Sequence, residues 1–386
     1  WHGERLAAAF GPRGVQRTPF ADMCFRSSVV SEDCLYLNIW TPVPNDPAAR
    51  LPVLLFVHGG AYLVGDGSEP RYDGARLAAS GLVVVTLNIR LGIFGFFAHP
   101  QLGGANAGLF DLAAAMDWLQ DNLDVFGGDA NRITLGGSSS GGYAACALAT
   151  CRPAKSQVAG IFAASAALLG ASLSGLCAAL PTLDVMQQRG TAFAHSIGAK
   201  DLQALKSLPA EVLLARCSPM GWSRPCLDGE FLRADIHTQW AESNAAQVPL
   251  LIGMTSAEPY FHGNARNRSP TLEAFIAMLK SEFGEGAMDV YLAYGEPRTA
   301  TELVLAARDL AADRWIGKDN YQISKLAAAA GQHVYAYIFD HVRPDPLPGS
   351  GGWTSAEGAG HSTDIEYFLG TLALSNMYAW REEDIA

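Results

Sequence analysis

The chain has 386 residues, of which 49% are hydrophobic and 17% are charged, and its formal net charge is -11. This composition is typical of a compact globular protein with a large apolar core, and it excludes extended disorder. The negative charge and the lack of clustered Lys and Arg argue against nucleic acid as a partner, because phosphate binding needs such clusters. No apolar run reaches the roughly 18 residues that cross a bilayer, so we expect a soluble protein with no membrane span.

Seven cysteines are spread along the chain: Cys24, Cys34, Cys146, Cys151, Cys177, Cys217 and Cys226. They form no CxxC pairs beside paired histidines, so we expect no metal site. Cys24 and Cys34 lie in a turn-rich segment and could close a short disulfide loop or stay as thiols. The same two alternatives hold for Cys217 and Cys226. For the location of the protein, a secreted or periplasmic compartment is favoured over the cytoplasm.

Short β-branched runs alternate with longer Ala- and Leu-rich stretches, which predicts an α/β protein with a mostly parallel sheet covered by helices. The predicted strands are Leu35–Trp40, Val53–Val57, Leu82–Asn88, Ile133–Gly136, Ala159–Ala164, Val248–Gly253 and His333–Asp340. The predicted helices are Leu109–Gln120, Gly142–Thr150, Thr182–Ile197, Leu272–Phe283 and Glu302–Ala330, the last one breaking at Gly317. The Pro- and Gly-rich stretches between them are loops rather than linkers, so we expect one catalytic domain over residues 1–386 with lid insertions.

The sharpest local motif is Gly137-Ser138-Ser139-Ser140-Gly141, which follows a predicted strand and precedes a predicted helix. A serine nucleophile needs this strand-to-helix turn, where flanking glycines allow close backbone contacts and the helix N-terminus stabilises negative charge. A Gly- and Ser-rich loop without chemistry is the alternative for an isolated motif of this kind. Ser139, the central serine, is the predicted nucleophile.

Upstream, the predicted strand Val53–Val57 leads into His58-Gly59-Gly60-Ala61. The backbone N–H groups of such a turn can stabilise the oxyanion of a tetrahedral intermediate. We expect Gly60, Ala61 and Ser140 to supply these N–H groups. The alternative is a simple glycine turn after a strand.

The acid and the base of a serine hydrolase of this kind follow the nucleophile in the order Ser, Asp or Glu, His, each on a loop after a later strand. Glu258 follows the strand Val248–Gly253, and His361 follows the strand His333–Asp340. We therefore expect His361 to be the general base and Glu258 to orient it, with another carboxylate as the alternative for the acid. Asp364 is expected to cap the helix that it begins.

With these residues in view, the chain resembles the type B carboxylesterase family, which includes cholinesterases and bacterial para-nitrobenzyl esterases. The matching segments are 31–38 (SEDCLYLN), 106–111 (NAGLFD), 126–129 (FGGD) leading to 137–142 (GSSSGG), and 360–365 (GHSTDI). The resemblance implies an α/β-hydrolase fold, no metal or cofactor, and the triad Ser139, Glu258 and His361. It also implies a buried ion pair between Arg90 and Asp129.

The chain departs from the family pattern at several positions. Ser138 replaces the usual Glu before the nucleophile, Ser140 replaces the usual Ala, and Pro259 replaces the Gly after the triad acid. The resemblance leads us to expect that the family's N-terminal segment and C-terminal helix are missing here, either because the chain is partial or because it is a compact variant.

These observations predict a carboxylesterase that forms an acyl-enzyme on Ser139 and acts on small-molecule esters. Because relatives that favour cationic choline esters have a carboxylate where this chain has Ser138, we expect a preference for neutral or acidic esters. The alternatives are the same chemistry on amides, on carbamates or with other acyl acceptors, and a non-catalytic binding protein of the same fold. The sequence does not specify an oligomeric state.

Overall fold

The computed structural model describes residues 6–151, 157–166, 179–259, 271–354 and 358–385. The strands in these ranges are β1 (Arg13–Gly14), β2 (Val30–Ser31), β3 (Leu37–Trp40), β4 (Leu51–Val57), β5 (Val83–Leu87), β6 (Gly128–Ser138), β7 (Gly160–Ala164), β8 (Leu250–Thr255) and β9 (Val334–Phe339). Strands β1 and β2 form a small two-stranded sheet, and the others form one seven-stranded sheet in the order β3-β5-β4-β6-β7-β8-β9. Strand β3 is antiparallel to β5, and every other neighbouring pair in the large sheet is parallel.

Helices connect and cover the strands. In chain order they are α1 (Ala75–Ala79), α2 (Gly92–Phe96), α3 (Ala107–Asn122), α4 (Ser140–Leu148), α5 (Leu183–Ser196), α6 (Leu202–Lys206), α7 (Ala210–Arg216), α8 (Ile236–Ala241), α9 (Leu272–Phe283), α10 (Ala287–Ala293), α11 (Ala300–Ala312), α12 (Lys318–Ala329), α13 (Ile365–Leu369) and α14 (Glu382–Ile385). A π-helical turn, Asp313–Gly317, joins α11 to α12.

The large sheet is buried at its centre. Every residue of β5 and of β7 is buried, as expected for parallel strands that are covered on both faces. Each predicted strand of the large sheet is present, and each predicted helix is present with small differences at its ends. The predicted break at Gly317 is the end of the π-helical turn, so the chain stays helical through it.

The expected ion pair between Arg90 and Asp129 is wrong. Arg90 instead pairs with Asp111 of helix α3, with 2.5 Å between the charged groups, and Asp129 pairs with Arg50 at 2.8 Å. Arg90 follows the end of β5 and Asp129 lies at the start of β6, and β4 is parallel to both strands. The two residues therefore lie at opposite ends of the parallel strands, on the order of 20 Å apart along the strand direction.

Cys24, Cys34, Cys217 and Cys226 are all thiols, so neither of the possible disulfide loops is present. Burial raises the pKa of the Cys34 thiol to about 11 and that of Cys226 to about 12, which makes both poor nucleophiles. Among the helices of the described ranges, none combines the length and the apolar character that crossing a membrane needs.

Candidate active site

Ser139 lies on a strained turn between the central strand β6 and helix α4. Its backbone has φ 56° and ψ −123°, a left-handed φ that non-glycine residues rarely adopt. The turn is held by a hydrogen bond of 2.8 Å from the Ser139 N–H to the carbonyl of Ala164 on β7. A Cβ at Gly137 would lie 2.4 Å from the backbone of Gly141, so this tight turn requires glycine at position 137. The turn has the geometry of a nucleophile elbow and places Ser139 at the carboxyl edge of the sheet.

The glycine turn after β4 packs directly against this elbow. A Cβ at Gly59 would lie 3.2 Å from the Cβ of Ser139, and one at Gly141 would lie 2.1 Å from the carbonyl oxygen of Val57. Gly60 and Ala61 both have positive φ, at 110° and 57°. The turn is closed by a hydrogen bond of 3.0 Å from the N–H of Leu63 to the carbonyl of Gly60.

The three expected oxyanion donors lie on the glycine turn, which packs against Ser139, and on the residue that follows Ser139. In the described ranges, the N–H groups of Gly60 and Ala61 donate no hydrogen bond to the protein. Ser140 is the first residue of α4, where N–H groups lack intrahelical acceptors. Its Oγ also accepts a 3.4 Å hydrogen bond from the N–H of Tyr62, which ties the glycine turn to the helix.

Glu258 and His361 form a close buried pair. The Oε2 atom of Glu258 lies 2.5 Å from Nδ1 of His361, while Oε1 accepts a 2.8 Å hydrogen bond from the N–H of Thr255. Glu258 has no exposed surface and His361 is 8% exposed. With Nδ1–H donated to the carboxylate, Nε2 of His361 is left as the basic nitrogen.

The loops that present these two side chains are joined by backbone hydrogen bonds. The N–H of Ala257 donates to the carbonyl of Ala359 at 2.7 Å, and the N–H of Ala359 donates to Oγ of Ser256 at 3.0 Å. The N–H of Ser256 donates in turn to Phe339 at the end of β9 at 2.9 Å. Glu258 and His361 are therefore fixed to each other through main-chain contacts as well as through their side chains.

The elbow and the histidine loop meet beside the predicted nucleophile. The Oγ atoms of Ser138 and Ser362, which adjoin Ser139 and His361 in sequence, are 3.5 Å apart. Within the described chain, no hydrogen bond joins Ser139 Oγ to the His361 ring. Catalytic hydrogen bonds are often long before substrate binds.

The electrostatics of the site stabilise a charged histidine. Burial disfavours the imidazolium, but the charge of Glu258 and its hydrogen bond outweigh burial and raise the pKa of His361 above its usual value. Asp364 is also fully buried, and burial followed by the charge of Glu258 raises its pKa to about 6.

The expected capping role of Asp364 is wrong. Its side chain makes no cap hydrogen bond to α13, because it turns inward and accepts a 3.1 Å hydrogen bond from the hydroxyl of Tyr337 on β9. Its Oδ1 atom has no hydrogen-bond partner among the described residues.

Two further residues at the site were missed by sequence reasoning. Arg343, buried after β9, donates to the carbonyl of Ser362 at 3.2 Å and pairs with Glu366, so it holds the backbone next to His361. Trp315, in the π-helical turn, packs on the His361 ring with 4.8 Å between ring centroids. The predicted helix break at Gly317 is the only sequence feature that indicates irregular backbone near Trp315. No sequence motif includes Arg343.

Comparison with known proteins agrees with this geometry. The carboxylesterase family model matches residues 1–386. The chain belongs to the carboxylesterase family.

Several curated members of the family are similar over most of this chain. Para-nitrobenzyl esterase of Bacillus subtilis (strain 168) is 37% identical over 367 residues, which cover 89% of this chain and 68% of that protein. Fumonisin B1 esterase of Sphingopyxis macrogoltabida is 31% identical over 395 residues, which cover 98% of this chain and 68% of that protein. Bile salt-activated lipase of Homo sapiens is 30% identical, over 96% of this chain and 52% of the lipase.

The resemblance noted from the motifs is thus confirmed. The mostly parallel sheet with flanking helices is the α/β-hydrolase fold of the carboxylesterase family. The protein is a serine ester hydrolase whose substrates are small-molecule esters.

Proposed function

We propose that Ser139, Glu258 and His361 are the catalytic triad of this esterase and that Gly60, Ala61 and Ser140 form its oxyanion hole. The buried contact of 2.5 Å between Glu258 and His361 carries the proposal, because it fixes the imidazole beside a strained serine elbow. A strained nucleophile turn, a base and an acid that fixes its tautomer are the parts that acyl transfer requires.

In the first half of the reaction, Oγ of Ser139 attacks the carbonyl carbon of the ester while Nε2 of His361 takes the serine proton. The negative charge on the carbonyl oxygen accepts hydrogen bonds from the N–H groups of Gly60, Ala61 and Ser140. When the intermediate collapses, the bond to the alcohol oxygen breaks, and His361 returns the proton to the departing alcohol.

In the second half, His361 removes a proton from water, and the resulting hydroxide attacks the acyl group on Ser139. The acyl-oxygen bond to Ser139 breaks, the serine recovers its proton, and the carboxylic acid is released. In both halves of the reaction, Glu258 keeps Nδ1 of His361 protonated. The negative charge of Glu258 also stabilises the imidazolium form of His361.

The three adjacent serines provide a matched test of the nucleophile. Ser139→Ala should abolish ester hydrolysis and labelling by a fluorophosphonate probe, while Ser138→Ala and Ser140→Ala should keep both. Circular dichroism should show the same fold in all three variants. Labelling that survives in Ser139→Ala and disappears in either neighbour would mean that the nucleophile is wrongly assigned.

We also propose that the enzyme favours neutral or acidic esters over cationic ones, because no carboxylate adjoins the nucleophile at position 138. Ser138 is fully buried and contacts Ser362, so its influence on substrate acts through space rather than by contact. A carboxylate about 6 Å from a substrate cation contributes about 3 kcal/mol at an effective dielectric of about 20.

Ser138→Glu and Ser138→Gln separate charge from size. The glutamate variant should raise kcat/KM for a choline ester relative to a neutral ester of equal size and lower it for a dicarboxylic monoester. The glutamine variant should leave these ratios as they are in the parent. Equal ratios in all three proteins would show that position 138 does not set the charge preference.

The single-domain organisation of residues 1–386 and the extracytoplasmic location stay predictions. Limited proteolysis tests the first, since a single domain should resist cleavage between its halves. Fractionation of native cells followed by fluorophosphonate labelling tests the second.

A further inference from the structure

We propose that Trp315 is a positioning residue that stabilises the positively charged form of His361 through a cation–π contact. The proposal rests on the role of His361 as the general base. The indole and imidazole rings are 4.8 Å apart between centroids and inclined by 35°. A cation within about 6 Å of an indole face is attracted by the ring quadrupole, most strongly where water is excluded.

Water is largely excluded from this contact. His361 is 8% exposed, and Trp315 is half-buried. A buried imidazolium loses most of its hydration, so groups that replace that hydration matter more here than at the surface.

The backbone places Trp315 over the histidine by means of the π-helical turn between α11 and α12. The turn is anchored at its start, where Asp313 accepts a 2.6 Å hydrogen bond from the hydroxyl of Tyr294. It is anchored beyond its end, where Nδ2 of Asn320 donates to the carbonyl of Gly253 on β8 at 2.9 Å. Strand β8 leads directly to Glu258, so the indole and the triad acid are held by the same strand. Single π-helical turns occur frequently at functional sites.

Among the described residues, three carboxylates raise the pKa of His361. Glu258 is in contact with the ring, Asp364 lies on the same turn, and Asp22 acts from the N-terminal loop. The indole differs from these because it adds attraction for the cation without adding a charge. It therefore favours the imidazolium with no like-charge repulsion toward Glu258.

This contact favours the transition state over the ground state. His361 is neutral when substrate binds and becomes positive as it takes the proton of Ser139. An interaction that strengthens at that moment raises kcat, whereas one that is equal in both states changes KM alone.

The test compares Trp315→Phe and Trp315→Leu with the parent enzyme. Loss of the indole in Trp315→Leu should lower kcat by about 5- to 30-fold on a small acetate ester and leave KM nearly unchanged. The acid limb of kcat/KM should move to lower pH in the same variant, since the imidazolium has lost a stabilising partner. Trp315→Phe should fall between the two, because a benzene face attracts cations less strongly than indole.

A series of fluorinated tryptophans incorporated only at position 315 separates the electrostatic effect of the indole from its packing. Fluorination weakens the negative face of the indole with little change of shape, so kcat should fall stepwise with the number of fluorine atoms. The same series at Trp240, a core residue of α8 that is 2% exposed, serves as the control and should leave kcat unchanged.

Two results would overturn the proposal. One is a rate and an acid limb that stay constant along the fluorinated series at position 315. The other is an effect of Trp315→Leu confined to the KM of bulky esters, which would make Trp315 a wall of the acyl pocket. Activity that persists in His361→Ala would instead refute the underlying triad assignment, so the two failures are distinguishable.

Discussion

Replacing Asp364 with Asn tests whether burial and the charge of Glu258 raise the pKa of the Asp364 carboxyl group. Asp364 has no exposed surface, and the hydroxyl of Tyr337 donates to its Oδ2 atom. Burial and the charge of Glu258 raise its pKa from 3.8 to about 6 in the folded protein. The folded state therefore binds this proton more tightly than the unfolded state does.

The sign of the effect follows from this difference. Below about pH 4 both states hold the proton, and Asp364 has no charge to bury. Between about pH 4 and pH 6 the unfolded state releases the proton first, so the free energy of unfolding falls as pH rises. Above pH 6 the loss is constant, and at 1.36 kcal/mol for each pH unit it amounts to about 3 kcal/mol.

Asp364→Asn keeps the shape and an acceptor for Tyr337 but never ionises. Its free energy of unfolding relative to the parent should therefore rise by about 3 kcal/mol between pH 4 and pH 8. Urea unfolding at each pH measures this difference, and the exposed Asp289→Asn is the matched control, with no such trend expected.

The same variant has an independent kinetic readout. The Asp364 charge helps to raise the pKa of His361, so its removal should move the acid limb of kcat/KM to lower pH. A stability difference that is the same at pH 4 and pH 8, together with an unmoved acid limb, would refute the reasoning.

Other predictions concern the base, its orienting acid and the N-terminal loop. His361→Ala should lower kcat by about 10⁶-fold and Glu258→Gln by about 10⁴-fold, measured by ester hydrolysis, because the acid acts only through the base; equal losses would contradict this division. In the parent enzyme the midpoint of the acid limb should lie above about pH 6.5, since Glu258 raises the pKa of His361; a midpoint below that value would count against the pair. Gly14→Cys should form a disulfide with Cys34, because a Cβ at Gly14 would lie 3.9 Å from the Cβ of Cys34, within disulfide range. Closing this loop of about 20 residues should add about 3 kcal/mol to the free energy of unfolding, lost on reduction; the Cys34→Ser background is the control.

The strands and the main helices were predictable because their signal is local. Strand β5, for example, is a run of β-branched and apolar residues that is buried along its whole length, so its sequence and its environment agree. The tight glycine turn around Ser139 was equally accessible, since glycine is the residue type that such close backbone contacts require.

The ion-pair and hydrogen-bond partners of charged side chains were harder to predict, because they depend on the end of the strands at which each residue lies. Asp111 is one of several acidic residues that follow Arg90 in the sequence. It becomes the ion-pair partner of Arg90 only because helix α3 packs beside the end of β5. Asp364 shows the same limit. Its position before a helix indicates a cap, yet the hydroxyl of Tyr337 on a distant strand draws it inward.

Trp315 was not predictable for a different reason. The 3.6-residue period predicts which face of a helix a side chain occupies only if the helix is regular. The π-helical turn contains an extra residue, which changes the faces on which the following side chains lie. Short helices such as α1 and α6 were missed because five residues carry too little periodicity to be recognised.

Strand β6 is the middle strand of the seven, and it runs for eleven residues before it ends at Ser138. Amide hydrogens in such a strand exchange with solvent through the rarest openings of the fold. Glu258 and His361, in contrast, sit on loops that follow β8 and β9 at one side of the sheet. Partial unfolding should therefore separate Glu258 and His361 from Ser139 while strand β6 is still intact. Enzyme inactivated by mild denaturant should regain activity when the denaturant is diluted, at the rate at which two loops close rather than the rate at which the chain refolds.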